Sequence, residues 1–526
     1  MLLSLSHLWL SLVRGLEVTT PLGRVLGKDY GDFVAFKGLP YAEEPGRFEA
    51  PRAKLPWNGT WNGTRFRSSC MHGFAHHDED PLESYDESED CLYANVWAPK
   101  MARSLPVVVF IHGGGFMRNS GSDPNFWGDG FVQAGAILVT FNYRLGIFGF
   151  FSWPGSSANV GFQDQQQLLR WVQQNIAAFG GDAQRVALMG QSAGAMSVLC
   201  HLAAPGSKGL FQRALAHSPV GLYYRDRASN GAFVRAVAEA LLCVDVVRCL
   251  ERRPAKELRD VDVVPEYLRH LTRPCPECAN LLAWLPIIDP ETLPMNPVAA
   301  IESGRHHKVP TIISTVTNET LGFLPTIFMK LSNNELTYHE LLRLFFDDRA
   351  LEAAEHYGTA PDTSALPYVR RAGVLTTDAL MTCYGRYVAR GLAAFGEAYL
   401  STFMVQGHSS PMHNNEICVL GPPNGASCHA GDIPYQIPVS ERMRRRTQVG
   451  YANEREEGFA RAYARALVQF ASGQSSFMAY NSSDFSSAWT LDGPQVAQNY
   501  HREHCDFWEA VGYADVWTSR PRRLVV

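Results

Sequence analysis

Apolar residues in this chain fall into short continuous runs that alternate with longer amphipathic stretches. Leu105-Pro106-Val107-Val108-Val109-Phe110-Ile111 reads as a buried strand, and so does Val186-Ala187-Leu188-Met189. Val309 to Ser314 and Tyr399 to Val405 have the same character. Short apolar runs ended by turn residues suit strands covered on both faces. Asp164 to Ala177 and Arg455 to Ala471 instead carry helical patterns. This alternation predicts an α/β architecture, a large mostly parallel sheet with helices on both faces. With 526 residues and 46% hydrophobic content, the core can be large, as one domain with excursions or as three small ones. No repeat, low-complexity tract or Pro/Ser linker interrupts the chain.

Two of these strands end in glycine-rich turns. After Met189 comes Gly190-Gln191-Ser192-Ala193-Gly194. A Gly-x-Ser-x-Gly turn between strand and helix strains the serine backbone, tolerates only small flanking residues and exposes the hydroxyl, so Ser192 is the candidate nucleophile. After Ile111 comes His112-Gly113-Gly114-Gly115-Phe116. Consecutive glycines let backbone N–H groups approach a ligand closely, and the run matches the His-Gly-Gly-Gly motif that accompanies such an elbow. Gly114, Gly115 and Ala193 are therefore the candidate oxyanion donors.

A nucleophilic serine needs a base and an acid that orients it. Among 17 histidines, His429 stands out in Gly425-Ala426-Ser427-Cys428-His429-Ala430-Gly431-Asp432, a glycine-containing loop that follows a strand downstream of the serine. In the chain order Ser, Asp/Glu, His, the acid falls between the two. Glu319, in Thr317-Asn318-Glu319-Thr320, is the carboxylate at the end of the Val309 to Ser314 strand. On local grounds a capping or solvated glutamate is an equal alternative.

Taken together, these residues resemble the type-B carboxylesterases, a family that includes cholinesterases, bile-salt-activated and fungal lipases, and insect juvenile hormone esterases. The resemblance runs from about Glu17 to about Trp508. It rests also on Glu89-Asp90-Cys91-Leu92-Tyr93-Ala94-Asn95-Val96-Trp97, on Asn142-Tyr143-Arg144-Leu145-Gly146, and on Asn175 to Asp182 before the elbow. It implies an α/β-hydrolase fold as one domain over 16–526, with Ser192, Glu319 and His429 as the triad. It also implies disulfides Cys70–Cys91 and Cys243–Cys249, and buried ion pairs Arg144–Asp164 and Arg47–Glu89. Cys418 and Cys428 are expected to bridge just before His429, and Cys275–Cys278 to form a local disulfide, with a redox-active or zinc-binding pair as the alternatives. Cys200, Cys383 and Cys505 are left unassigned; with 11 cysteines, at least one thiol is free or paired between chains.

The implied activity is cleavage of carboxylic esters through an acyl-enzyme, with a rate rising through about pH 6 to 7 as imidazole becomes neutral. No cofactor is required. Lipase-like or juvenile-hormone-esterase-like specificity would use the same chemistry. The rival from another class is a neuroligin-like adhesion module, which the presence of Ser192, Glu319 and His429 disfavours. Gln191 stands where most family members have glutamate, a variant seen in juvenile hormone esterases. Cholinesterases grip a quaternary ammonium with a tryptophan in the first disulfide loop. The corresponding loop here has Phe74 and Tyr85 but no tryptophan, so a choline ester is not expected. Its many carboxylates, Asp78 and Glu79 among them, read as a solvated surface loop, with an acidic gorge rim that attracts cations as the less favoured alternative, and His76-His77-Asp78 lacks a spaced partner pair for metal. Phe116, Trp127 and Phe323 are candidates for an acyl pocket and equally for core packing.

The net charge of −5 argues against nucleic-acid binding. The cysteine content suggests an oxidising compartment. Residues 1–15 read as a signal peptide, with Leu2 to Val13 too short to span a bilayer. Sequons at Asn58, Asn62 and Asn481 fit a secreted glycoprotein, while the sequon at Asn318 overlaps the candidate acid and is expected to be unmodified.

Overall fold

The computed structural model describes residues 16–72, 86–260, 282–322, 333–346, 349–358, 367–405, 427–441, 443–444, 451, 453–481 and 484–512. The expected leader, Phe74, Tyr85, His76-His77-Asp78, Phe323, Cys275, Cys278 and Cys418 lie outside them.

The apolar runs become strands of one sheet. Strands β1 (Leu16–Thr20), β2 (Gly23–Asp29), β3 (Phe33–Pro40) and β4 (Tyr93–Pro99) pair antiparallel in succession. The parallel part comprises β5 (Leu105–Ile111), β6 (Ile137–Phe141), β7 (Gly181–Gln191), β8 (Arg213–His217), β9 (Thr311–Val316), β10 (Ala398–Phe403) and β11 (Phe485–Thr490). An antiparallel β12 (Gly493–Gln498) follows. The order is β1-β2-β3-β4-β6-β5-β7-β8-β9-β10-β11-β12. β5 thus has β6 on one side and β7 on the other, so the chain reverses its winding direction there. In open α/β sheets, the crevice beyond the carboxyl ends of strands at such a point is where ligands bind.

Side chains alternate across the sheet because a strand has a period of two. Val107, Val109 and Ile111 enter one core layer, and Val108 and Phe110 the other. In β7, Val186 and Leu188 divide from Ala187 and Met189 in the same way. The first layer is covered by α1 (Val160–Asn175), α2 (Ala193–Ala203) and α3 (Cys383–Ala393). The second is covered by α4 (Glu454–Ala471), whose Phe459, Tyr463, Leu467 and Phe470 recur at helical spacing. Both faces of the sheet therefore carry helices, as the alternating pattern predicts.

Local chemistry sets the helix ends. Asn453 caps α4 by accepting the Glu456 N–H at 3.0 Å, and Glu454, Glu456 and Glu457 place negative charge in its first turn. α1 begins before Asp164 because Asn159, at φ 55°, turns the chain into it. It stops at Asn175, after which Ile176–Phe179 tightens into a 3₁₀ turn.

Arg144 is buried and grips the fully buried Asp164 through two hydrogen bonds of 2.8 and 2.7 Å, while its third arm reaches Glu49 O at 2.8 Å. Arg47 Nε lies 2.8 Å from Glu89 Oε2. Disulfides join Cys70 to Cys91, Cys243 to Cys249, and Cys383 of α3 to Cys505 of α5 (Arg502–Ala510). Cys428 is disulfide-bonded, and Cys200 is a free, buried thiol. Trp127 packs against Tyr30, Phe66 and Trp97 in the second core layer, and Phe116 sets its edge against Phe150 in the first; both are core residues. Asn58, Asn62 and Asn481 are exposed, whereas Asn318 is buried.

Candidate active site

β7 runs into α2 through Ser192 alone, and the serine takes φ 58°, ψ −123° to make the turn. That conformation is costly for a residue with a Cβ and persists only where its surroundings hold it. They do so by close backbone contact. A Cβ on Gly190 would lie 2.3 Å from Gly194 O, and one on Gly194 would lie 2.0 Å from Ile111 O. Ser192 N–H donates to His217 O at 2.9 Å, which anchors the elbow to β8. The serine is only half-buried, and among the described residues its hydroxyl has no hydrogen-bond partner.

Ala193 is the first residue of α2, so its N–H points out of a helix N-terminus where partial positive charge gathers. The glycine loop leaves the end of β5 beside it. Its His112 stacks on Tyr143 at 4.5 Å, and the Tyr143 hydroxyl donates to His112 O at 2.9 Å. Gly114 (φ 108°) and Gly115 (φ 64°) adopt backbone angles open to glycine. A Cβ on Gly114 would lie 2.2 Å from Arg118 O. Among the described residues, no acceptor takes the N–H of Gly114, Gly115 or Ala193.

The turn after β9 and the histidine loop are zipped together. Asn318 N–H donates to Ser427 O and Ser427 N–H donates to Thr317 Oγ1, both at 2.9 Å, with Asn318 opposite Cys428 in a parallel bridge. One residue further along each chain, Glu319 meets His429, and Glu319 Oε2 lies 2.6 Å from His429 Nδ1. The other carboxylate oxygen accepts the Val316 N–H at 2.9 Å. Behind it, Thr320 is held by Thr377 Oγ1 at 3.2 Å and Gly373 O at 2.9 Å. Glu319 is wholly buried and His429 nearly so.

Nδ1 of His429 faces the carboxylate, so Nε2 is the opposite edge of the ring. It points to the elbow, where Gln191 Nε2 lies 3.2 Å away. The structure therefore brings Glu319, His429 and the Gln191-Ser192 elbow into one place, with the glutamine amide and not the serine hydroxyl on the imidazole. Neither Gln191 nor Asp432 is marked as functional by local sequence. Asp432 is fully buried, and burial, followed by the nearby negative charge of Glu319, pushes its carboxyl up to about 7. Among the described residues no group of His, Cys, Asp and Glu is arranged to hold a metal ion.

Residues 14–508 match the carboxylesterase family. The chain is 29% identical over 438 residues to the crystal protein of Dictyostelium discoideum, covering 80% of this chain and 75% of that one. It is 35% identical over 325 residues to juvenile hormone esterase of Tribolium castaneum, covering 57% of this chain and 54% of the relative. With para-nitrobenzyl esterase of Bacillus subtilis it shares 36% identity over 316 residues, 58% of this chain and 63% of that enzyme. A solved thermophilic PNB esterase superposes with a TM-score of 0.77 at 26% identity, covering 93% of this chain and 99% of its own. A further PNB esterase structure gives 0.74, again at 26% identity and with 93% and 99% coverage. A family match along nearly the whole chain, a shared sheet and a strained serine at its switch point converge: the chain belongs to the carboxylesterase family and is a carboxylic-ester hydrolase of the α/β-hydrolase fold.

Proposed function

We propose that this protein cleaves carboxylic esters through an acyl-enzyme on Ser192, with His429 as general base and Glu319 as the acid that orients it. Neutral His429 accepts the serine proton at Nε2 as Oγ attacks the ester carbonyl. The carbonyl oxygen becomes an oxyanion, which the N–H groups of Gly114, Gly115 and Ala193 stabilise. His429 then returns the proton to the leaving alcohol. Water, deprotonated by the same nitrogen, releases the acid from Ser192.

The observation that carries this reading is the contact of Glu319 with His429 Nδ1 at 2.6 Å. It directs the second ring nitrogen to the elbow and offsets the positive charge that the ring gains in the transition state. The N–H groups of Gly114, Gly115 and Ala193, which meet no acceptor among the described residues, support the assignment of the oxyanion site. The substrate class is small-molecule or lipid esters, as the names of the juvenile hormone and para-nitrobenzyl esterase relatives suggest. Passage through the secretory pathway is in keeping with three described disulfides and the exposed sequons. Among the described residues no helix is long and apolar enough to cross a membrane.

The test is hydrolysis of p-nitrophenyl esters from short to long acyl chains, with Ser192→Ala as control. The wild type is expected to turn over and the variant to lose at least about 10³-fold in kcat. Equal rates would remove Ser192 from the mechanism. An optimum at short chains assigns an esterase, and one at long chains a lipase.

A further inference from the structure

Gln191 has a structural place that the reaction described above does not use. Its side chain is buried and wedged between His429 and the glycine loop. The amide nitrogen lies 3.2 Å from His429 Nε2. The oxygen end faces Gly113, where a Cβ would come within 2.9 Å of Oε1 and 2.8 Å of the Gln191 backbone carbonyl. The nitrogen end of the amide thus faces the imidazole and the oxygen end faces the glycine loop.

Resting on the triad reading, we propose that Gln191 is a positioning residue for His429. In the free enzyme its N–H donates to the lone pair of Nε2, a contact that only the tautomer with its proton on Nδ1, toward Glu319, can accept. Nε2 has one lone pair in the ring plane, so Gln191 and the Ser192 hydroxyl compete for it, and the amide yields as substrate brings the serine into line. An amide stabilises the neutral ring by donating. A carboxylate in the same place could only accept, and would stabilise the imidazolium instead.

The surrounding charges make the choice of an amide consequential. Glu319, after β9, already presents its carboxylate to Nδ1. Asp432, three residues beyond His429, is a second acid near the ring, and burial followed by the charge of Glu319 holds part of it protonated near neutral pH. Tyr500 lies within electrostatic reach of Glu319, its phenol pushed up by burial first and then by Asp378 and Glu319. A third carboxylate, at position 191, would add negative charge within hydrogen-bond reach of Nε2. Such a neighbour moves a titration by about one to three pH units.

The experiment compares kcat/KM against pH for p-nitrophenyl butyrate in the wild type, Gln191→Glu and Gln191→Met, with a thermal melt of each. The acid limb is expected lowest in the wild type, higher in Gln191→Met, which has no donor, and highest in Gln191→Glu, by about one pH unit or more. Alkaline plateaus should agree within about tenfold. Coincident acid limbs, with a fluorophosphonate still labelling Ser192 in each protein and Ser192→Ala inactive, overturn the role of Gln191 and leave the triad standing. An active Ser192→Ala overturns both. Should one glutamine variant fail to fold, the other decides, since each is expected above the wild type.

Discussion

Asn318 and Cys428 face each other across a parallel bridge, one residue before Glu319 and His429. This register sets Glu319 against His429, because two extended chains paired at one position stay paired at the next. Ser427 N–H on Thr317 Oγ1 and Asn318 N–H on Ser427 O hold the pairing from both sides. The strained serine is then supplied from a different part of the sheet.

Glu319→Gln keeps the size of the side chain and removes the charge. The amide would still fill the buried site beside Val316 N–H, so the fold is expected to survive, while the ring loses the partner that selects its tautomer. A fall in kcat of about 10³- to 10⁴-fold is expected at neutral pH. Steady-state hydrolysis of a p-nitrophenyl ester, with circular dichroism to check folding, measures it. Near-wild-type turnover in a folded variant would exclude Glu319 as the orienting acid.

Gly194→Ala places a methyl 2.0 Å from Ile111 O, a backbone atom of a central strand. No rotamer relieves such a clash, so strand and helix must separate at the elbow. A loss of at least about 3 kcal/mol in urea unfolding is expected, with activity falling alongside. Unchanged stability would mean that β5 and α2 do not approach as closely as described.

Asp164→Asn leaves Arg144 charged, buried and facing an amide that can accept only one of its two hydrogen bonds. Breaking a buried pair from one side typically costs about 3 to 5 kcal/mol. Thermal melts in low and high salt would read the loss, and a drop that salt alone could mimic would place the pair at the surface.

Asp432 gives stability a dependence on pH. Its carboxyl in the folded protein is raised to about 7, above the ordinary 3.8 that the unfolded chain takes. Between these values the folded state holds a proton that the unfolded state has released, so stability falls as pH rises through the window. Asp432→Asn cannot titrate. Its Tm relative to wild type is therefore expected to rise from pH 4 to pH 8 and then level off. A constant difference across that range would show that Asp432 ionises as freely in the fold as in the unfolded chain.

The sequence by itself determined the local geometry of the chemistry. Glycines at 190 and 194 are needed wherever a strand, a serine and a helix turn within three residues, and the glycines at 114 and 115 are needed for positive φ. Strand and helix periods likewise specified two core layers, because side-chain direction follows from the backbone alone. Family resemblance named Glu319 and His429, but their local surroundings left a solvated glutamate equally plausible, since neither loop has a periodic pattern. Only the tertiary structure set them 2.6 Å apart, through a bridge between segments 110 residues distant in sequence. Trp127 belonged to the core and Cys383 to Cys505 for the same reason: each assignment depends on which elements the sheet order makes neighbours. Gln191 is the clearest case. Its one-letter departure from the common pattern was visible at once, yet its contact with His429 exists only because the histidine loop folds back over the carboxyl end of β7.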